Sequence, residues 1–417
     1  MKKSLLALAV AAALPAAAQA QSSIVLYGIA DVAVEYSNDQ ANSALVSGSL
    51  NNGKSGARVQ SGGWMSSRLG MRGTEPLGKT GMSAIFNIEH RFQIDTGDTQ
   101  GGQITLLPNQ NPCSTTLGTL VNGVPTTATT TCAAPNNKFW NGTAWVGLST
   151  GFGDITVGRQ YTPIFWAMYF PDWTLNAGYN NWAATTGNPG SFAFGGLQSL
   201  YYGAVRADNS IVYKSPAIAG LTVYGMYSFG ENYRPTGDTL GDGSALGSGD
   251  VWGVSGVWRL GNLMVTGGYH KHNNNVVSAT LNPTVIDEAF AGSIGYNFGA
   301  FGISAGYTQL KFDNFRTAAL GGNFGSKNET YLLSAFARLG PGRLYANVEQ
   351  LNPSGFGNAR NEDMLQWGVT YVWELSNRTG VYVGVGSNDY SGFQPTGTTV
   401  RALDAAMRYQ IGVNHKF

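Results

Sequence analysis

The sequence has little charge. Charged residues fill 12 % of its 417 positions, about half the roughly 25 % of an ordinary soluble domain. It also lacks long apolar runs: past the amino terminus none approaches the roughly 18 residues of a transmembrane helix. Histidine is scarce, with only His90, His270, His272 and His415. None of the four stands in a recognisable catalytic motif, where a nucleophile would need a positioned base. His270 and His272 share a strand face, but two ligands without a third make an incomplete metal site. No phosphate-binding loop or cofactor motif is present, so neither a cofactor nor an enzymatic activity is expected. A basic excess is missing too. The first 20 residues hold two of the 25 basic side chains and none of the 24 acidic ones, leaving 23 against 24. That balance argues against a nucleic-acid partner.

Cysteine is limited to Cys113 and Cys132, both in one Ser/Thr/Asn/Pro-rich stretch. In an exported chain the expectation is one disulfide, with two free thiols as the alternative. Such a cross-link would restrain the unfolded chain by roughly 3 kcal/mol in the entropic view. Export is indicated by the amino terminus. Lys2 and Lys3 precede an unbroken apolar run at residues 5–14, and Ala18-Gln19-Ala20 offers small residues at the cleavage positions. Residues 1–20 are therefore expected to be a signal peptide and 21–417 a single barrel domain.

Glycine and aromatics are abundant, with 58 Gly, 20 Tyr, 19 Phe and 10 Trp, yet mean hydropathy is only −0.10. Hydrophobicity without long runs has to be distributed, and alternation distributes it. From Ile24 to Tyr36 the even positions are apolar or small while Asp31 and Glu35 fall on the odd ones. At the other end Phe417, His415, Val413, Ile411, Tyr409 and Met407 share one face, with Lys416, Asn414, Gln410 and Arg408 on the other. This is the period of a strand with two unlike faces. Between them the same pattern marks strands at 66–75, 81–91, 143–149, 154–160, 208–215, 221–228, 251–259, 262–270, 288–298, 301–311, 329–339, 342–351, 363–373 and 380–387, sixteen in all. The segments 143–149 and 154–160 alternate poorly and suit packing against protein.

Connection lengths alternate as well. Seven are short, and eight are long and polar, at about 37–65, 92–142, 161–207, 229–250, 271–287, 312–328, 352–362 and 388–401. Short turns at one end and long loops at the other is the asymmetry of an outer-membrane barrel. In a bilayer every backbone polar group needs a partner within the protein, and a sheet achieves that only by closing. The expected fold is thus all-β: a transmembrane antiparallel barrel of 16 strands, wide enough to enclose water.

Several segments then resemble one family. "SSIVLYGIADVAVEY", "SSRLGMRGTEPLG", "GMSAIFNIEH", "AWVGLSTGFGDITVGRQY", "DNSIVYKSP", "VYGMYSFGE" and the terminal "GVNHKF" are similar, in order, to the general trimeric porins of beta-proteobacteria of the Neisseria and Burkholderia type. The resemblance runs from residue 23 to 417 and is better in strands than in loops. It implies a homotrimer in the bacterial outer membrane, among lipid and lipopolysaccharide, passing small hydrophilic solutes and ions by passive diffusion. It implies that the third long loop, about 161–207, folds into the lumen; its start is dense in Tyr161, Phe165, Trp166, Tyr169, Phe170 and Trp173.

Alternation names the candidate lumenal charges. Arg68 and Arg72 lie opposite Leu69 and Met71, and Arg206, Asp208 and Lys214 lie opposite Ile211 and Tyr213. Arg159 precedes the inner loop, and Asp172 within it is the candidate opposing charge. The resemblance assigns Arg68, Arg159 and Arg206 to the family's basic cluster. One departure weakens it: this chain reads "FWNGTAWVGL", with Gly142 where the family often has arginine. A mild anion preference follows. The competing reading pairs each arginine with Asp31, Glu35, Glu75 or Glu89, assigned to the lumenal face. The terminal Phe417, beside His415 on the outward face, resembles the signal read by the barrel-assembly machinery.

Overall fold

The two unlike faces become the two sides of a closed wall. The computed structural model describes residues 22–37, 56–78, 80–97, 99, 113–117, 120–121, 124–125, 128–132, 139–170, 205–229, 250–272, 288–317, 322–354, 364–388 and 406–417. Residues 1–20, where a signal peptide is expected, and Asp172 lie outside them. Around the barrel run β1 (Ser23–Ser37), β2 (Gly56–Ser61 and Arg68–Pro76), β3 (Ser83–Arg91), β4 (Thr143–Thr150), β5 (Gly153–Tyr161), β6 (Arg206–Lys214), β7 (Leu221–Ser228) and β8 (Val251–Leu260). They continue as β9 (Leu263–His272), β10 (Glu288–Asn297), β11 (Phe301–Thr317), β12 (Gly322–Leu339), β13 (Gly342–Ser354), β14 (Met364–Glu374), β15 (Thr379–Asn388) and β16 (Ala406–Lys416). Every strand pairs antiparallel with its neighbours, and β1 pairs with β16, so no edge is left open. The sheet counts 17 segments, but the two parts of β2 follow one another along a single stave, giving the expected sixteen.

Burial is inside out. Val146, Leu333 and Ile411 point outward and are 60 %, 56 % and 55 % exposed, whereas the inward Asp31, Glu35, Glu89 and Thr308 are buried. Lipid satisfies the apolar face, so that face needs no protein core. The seam is closed at the carboxyl terminus. Gly28 and Phe417 exchange backbone hydrogen bonds of 3.0 and 3.1 Å. The Phe417 ring lies directly on Gly28, where an added Cβ would fall 2.2 Å from a ring carbon. Only glycine leaves that space.

The seven short turns stand where the alternation put them. Four expectations need correction. Strand 66–75 begins at Arg68, and a further strand segment, Gly56–Ser61, falls in what reads as loop. Between these segments residues 62–67 leave the ladder, so Ala30 and Asp31 of β1 face six residues of β2. The loop at 312–328 is mostly a hairpin extension, with β11 and β12 paired out to Thr317 and Gly322. The loop at 92–142 contains a ladder between Cys113–Leu117 and Ala128–Cys132 that sets Cys113 opposite Cys132. Finally, Glu75 pairs with Ala84 on the outer face and is not lumenal.

The third long connection enters the barrel as α1 (Pro163–Tyr169). Thr162 caps it, its hydroxyl accepting from the Phe165 N–H at 3.3 Å, and Pro163 occupies the first turn. Both are standard helix-start chemistry. Ile164, Ala167 and Met168 are fully buried against lumenal side chains of β10 to β12, among them Ala289, Ala291, Leu310 and Leu332. The Ala167 carbonyl accepts from Thr266 of β9 and, at 3.3 Å, from Ser293 of β10. This carbonyl belongs to the last turn of a short helix and would otherwise lack a partner.

Candidate pore constriction

With α1 seated on β8 to β12, the lumenal charges of β2 to β6 form the facing wall. On β3, Glu89 and Arg91 are two residues apart and so share the inner face. The ladder pairs Arg91 with Arg68 of β2, an unfavourable juxtaposition of like charges by itself. Glu89 resolves it: Arg91 Nε donates to Glu89 Oε1 at 3.0 Å, and Arg68 Nη1 lies 3.7 Å from Glu89 Oε2. The Tyr161 hydroxyl at the end of β5 accepts from Arg91 Nη2 at 2.5 Å and from Arg206 Nη2 at 2.8 Å. The Arg206 guanidinium also lies 4.4 Å from the centre of the Tyr161 ring, a cation–π contact.

Arg159 joins this cluster through the wall itself. Its Nη1 is 2.6 Å from Asp208 Oδ1, and its Nε and Nη2 donate to the Asn141 carbonyl. The Asn141 side chain in turn accepts from the Arg91 N–H at 2.6 Å. A bulge makes this possible: Arg159 alone faces Asp208 and Asn209, since Gly158 pairs with Ser210 and Gln160 with Ala207. Gly158 and Asn209 carry the positive φ angles it requires, 131° and 48°. On β5 the register shift falls between Gly158 and Gln160, within the poorly alternating segment 154–160.

Arg68, Arg91, Arg159 and Arg206 therefore share one wall with two carboxylates, Glu89 and Asp208. Their accessibility differs. The Arg68 side chain keeps 21 % exposure, whereas Arg159 and Arg206 keep 8 % and 3 %. Arg72 stands apart, with its guanidinium 5.6 Å from the centre of the Tyr27 ring. Lys214 is also apart, paired with Asp154 at 3.6 Å near the short turns. Gly142 lies against Glu89, whose carboxylate would sit 2.6 Å from a Cβ built there, so Glu89 occupies the room of a side chain. Neither Arg91 nor Tyr161 is among the lumenal charges and partners that alternation and the family resemblance name. Arg91 was legible, since it shares parity with Glu89. His270 and His272 are buried side by side on the inner face of β9, and among the described residues no third metal-ligating group joins them.

A closed sixteen-strand wall with an apolar outside, a helix in the lumen and a charged facing wall is a channel. The family model for Gram-negative porins matches residues 7–392. The chain belongs to that family. It is 28 % identical to outer membrane porin protein 32 of Delftia acidovorans over 100 % of both chains. It is 25 % identical to an outer membrane porin protein of Bordetella pertussis over 92 % of this chain and 93 % of the relative. Its fold matches the solved anion-selective porin of Comamonas acidovorans with a TM-score of 0.64 at 23 % identity, covering 95 % of this chain and 100 % of that one. This porin is thus an outer-membrane channel for passive diffusion of small hydrophilic solutes.

Proposed function

We propose that the channel prefers anions mildly, and that Arg68, with Arg91, Arg159 and Arg206 behind it, sets the preference. The observation that carries this is the imbalance of four guanidiniums over two carboxylates on one wall. Fixed positive charge on a narrow wetted wall concentrates anions and repels cations within a Debye length of roughly 8–10 Å. The anion selectivity named for the Comamonas porin supports the sign. Arg72 and Lys214 add positive charge along the path, and Asp172 of the inner loop opposes it. Planar-bilayer recording in asymmetric KCl tests both halves: steady conductance for the channel, and a zero-current potential of anion sign for the preference.

The assembly is a homotrimer in lipid and lipopolysaccharide, as the family resemblance implies, and conductance in three equal steps tests it. Phe417 is the residue the barrel-assembly machinery reads. Its deletion should lower outer-membrane insertion far more than Lys416→Ala, and equal insertion of the two would contradict the role. Cys113 and Cys132 form one disulfide, supported by their facing positions in the loop ladder. Mass spectrometry of the non-reduced protein should find their peptides linked; two alkylatable thiols would contradict it.

A further inference from the structure

The chain segment at 62–67 breaks β2 in the middle of the barrel, and the place where it goes is lumenal. Asp31, on the inner face of β1, is fully buried beneath it. Both carboxylate oxygens are used: Oδ1 accepts from the Trp64 N–H at 3.2 Å and the Tyr382 hydroxyl at 2.7 Å, and Oδ2 from the Met65 N–H at 3.0 Å and Asn414 Nδ2 at 2.9 Å. The Asp31 backbone completes the clamp, with its N–H donating to Ser67 Oγ at 3.0 Å and its carbonyl accepting from Gly62 N–H at 2.9 Å. The Trp64 indole covers the β13 to β15 side of the lumen, its ring centre 4.9 Å from Tyr345 and 6.3 Å from Tyr382. The segment then returns to the ladder at Arg68, whose Nε donates to the Ser66 carbonyl at 3.0 Å.

We propose that residues 62–67 are a second constriction element, and that Asp31 is the positioning residue that holds it and, through Ser66, aims Arg68 into the water path. The reading rests on the chain being a diffusion channel. α1 covers β8 to β12 and Trp64 covers β13 to β15, so among the described residues the side left open is the arginine wall. No charge on Asp31 reaches the solute directly; it acts through the fold of the segment. A carboxylate alone suits the position, because four donors converge on it and an amide would turn its own N–H bonds toward two of them.

The sign of the effect separates positioning from charge. Removing a negative charge near a pore would by itself raise anion preference. Under the proposal Asp31→Asn frees the segment, raises single-channel conductance and lowers anion preference, because Arg68 loses its support. Trp64→Ala leaves the clamp intact and raises conductance by roughly 1.5-fold, since an indole leaves a wetted constriction. Both are measured in planar bilayers on heat-modifiable, correctly inserted protein. Wild-type conductance from Trp64→Ala overturns the proposal, as does an Asp31→Asn channel of unchanged conductance with stronger anion preference. If Asp31→Asn does not insert, Trp64→Ala decides alone, together with block of Met65→Cys channels by a lumenal methanethiosulfonate cation. A wild-type protein that does not conduct would instead defeat the channel reading.

Discussion

Among the described residues two elements enter the lumen, and they are held in different ways. Helix α1 is seated by apolar contact, with Ile164, Ala167 and Met168 all fully buried. The segment at 62–67 is seated by one carboxylate and its donors. Apolar contact is non-directional and divided among many atoms, so loss of one methyl weakens it by degrees. A buried carboxylate with a full set of donors is directional, and losing it strands several donors at once. Among the described residues the two leave uncovered the wall that carries the arginines. On the proposed reading, selectivity follows from what is covered as much as from what is charged.

The largest effect should come from breaking the apolar seat. Ile164→Asp places a carboxylate where an isoleucine is fully buried, costing at least the roughly 2–5 kcal/mol of losing that side chain. The helix should leave the wall, conductance should rise several-fold, and anion preference should fall. Unchanged conductance would mean that α1 does not narrow the path. Next in size is Arg68→Ala, which should lower the anion-to-cation permeability ratio by roughly two-fold at 0.1 M salt and far less at 1 M, as the Debye length shrinks from about 10 to 3 Å. Arg206→Ala should shift the same potential less, because its charge sits beneath Tyr161 and reaches little water. Glu89→Gln should give the smallest change and the opposite sign, since it frees Arg68 and Arg91 of their shared counter-charge.

Alternation made most of the barrel legible because a lipid-facing strand must keep an apolar face. It failed where that demand lapses. The extension of β11 and β12 to Thr317 and Gly322 reads as loop because a hairpin standing clear of the bilayer needs no apolar face. Residues 62–65 read as loop too, being Gly, Gly, Trp and Met without period, and Ser66 and Ser67 read as the start of a strand. Nothing local shows that a carboxylate on the preceding strand would clamp them. On β6 the bulge hides parity, since one extra residue between Ala207 and Ser210 reverses every inference made by counting across it. Of the cluster's other members, Arg68 was within reach by parity and Arg91 by its spacing from Glu89, whereas Arg206, counted across that bulge, was reached only through the family resemblance. What counting could not give is their accessibility, which separates Arg68 at the water from Arg206 behind a tyrosine.

The most direct test is the zero-current potential of wild-type and Arg68→Ala channels across a KCl gradient, taken at low and then at high salt. The account predicts an anion-selective wild type, a clear shift toward cations on losing Arg68 at low salt, and near-convergence of the two at high salt. A cation-selective wild type, or two channels with the same potential at low salt, would contradict it.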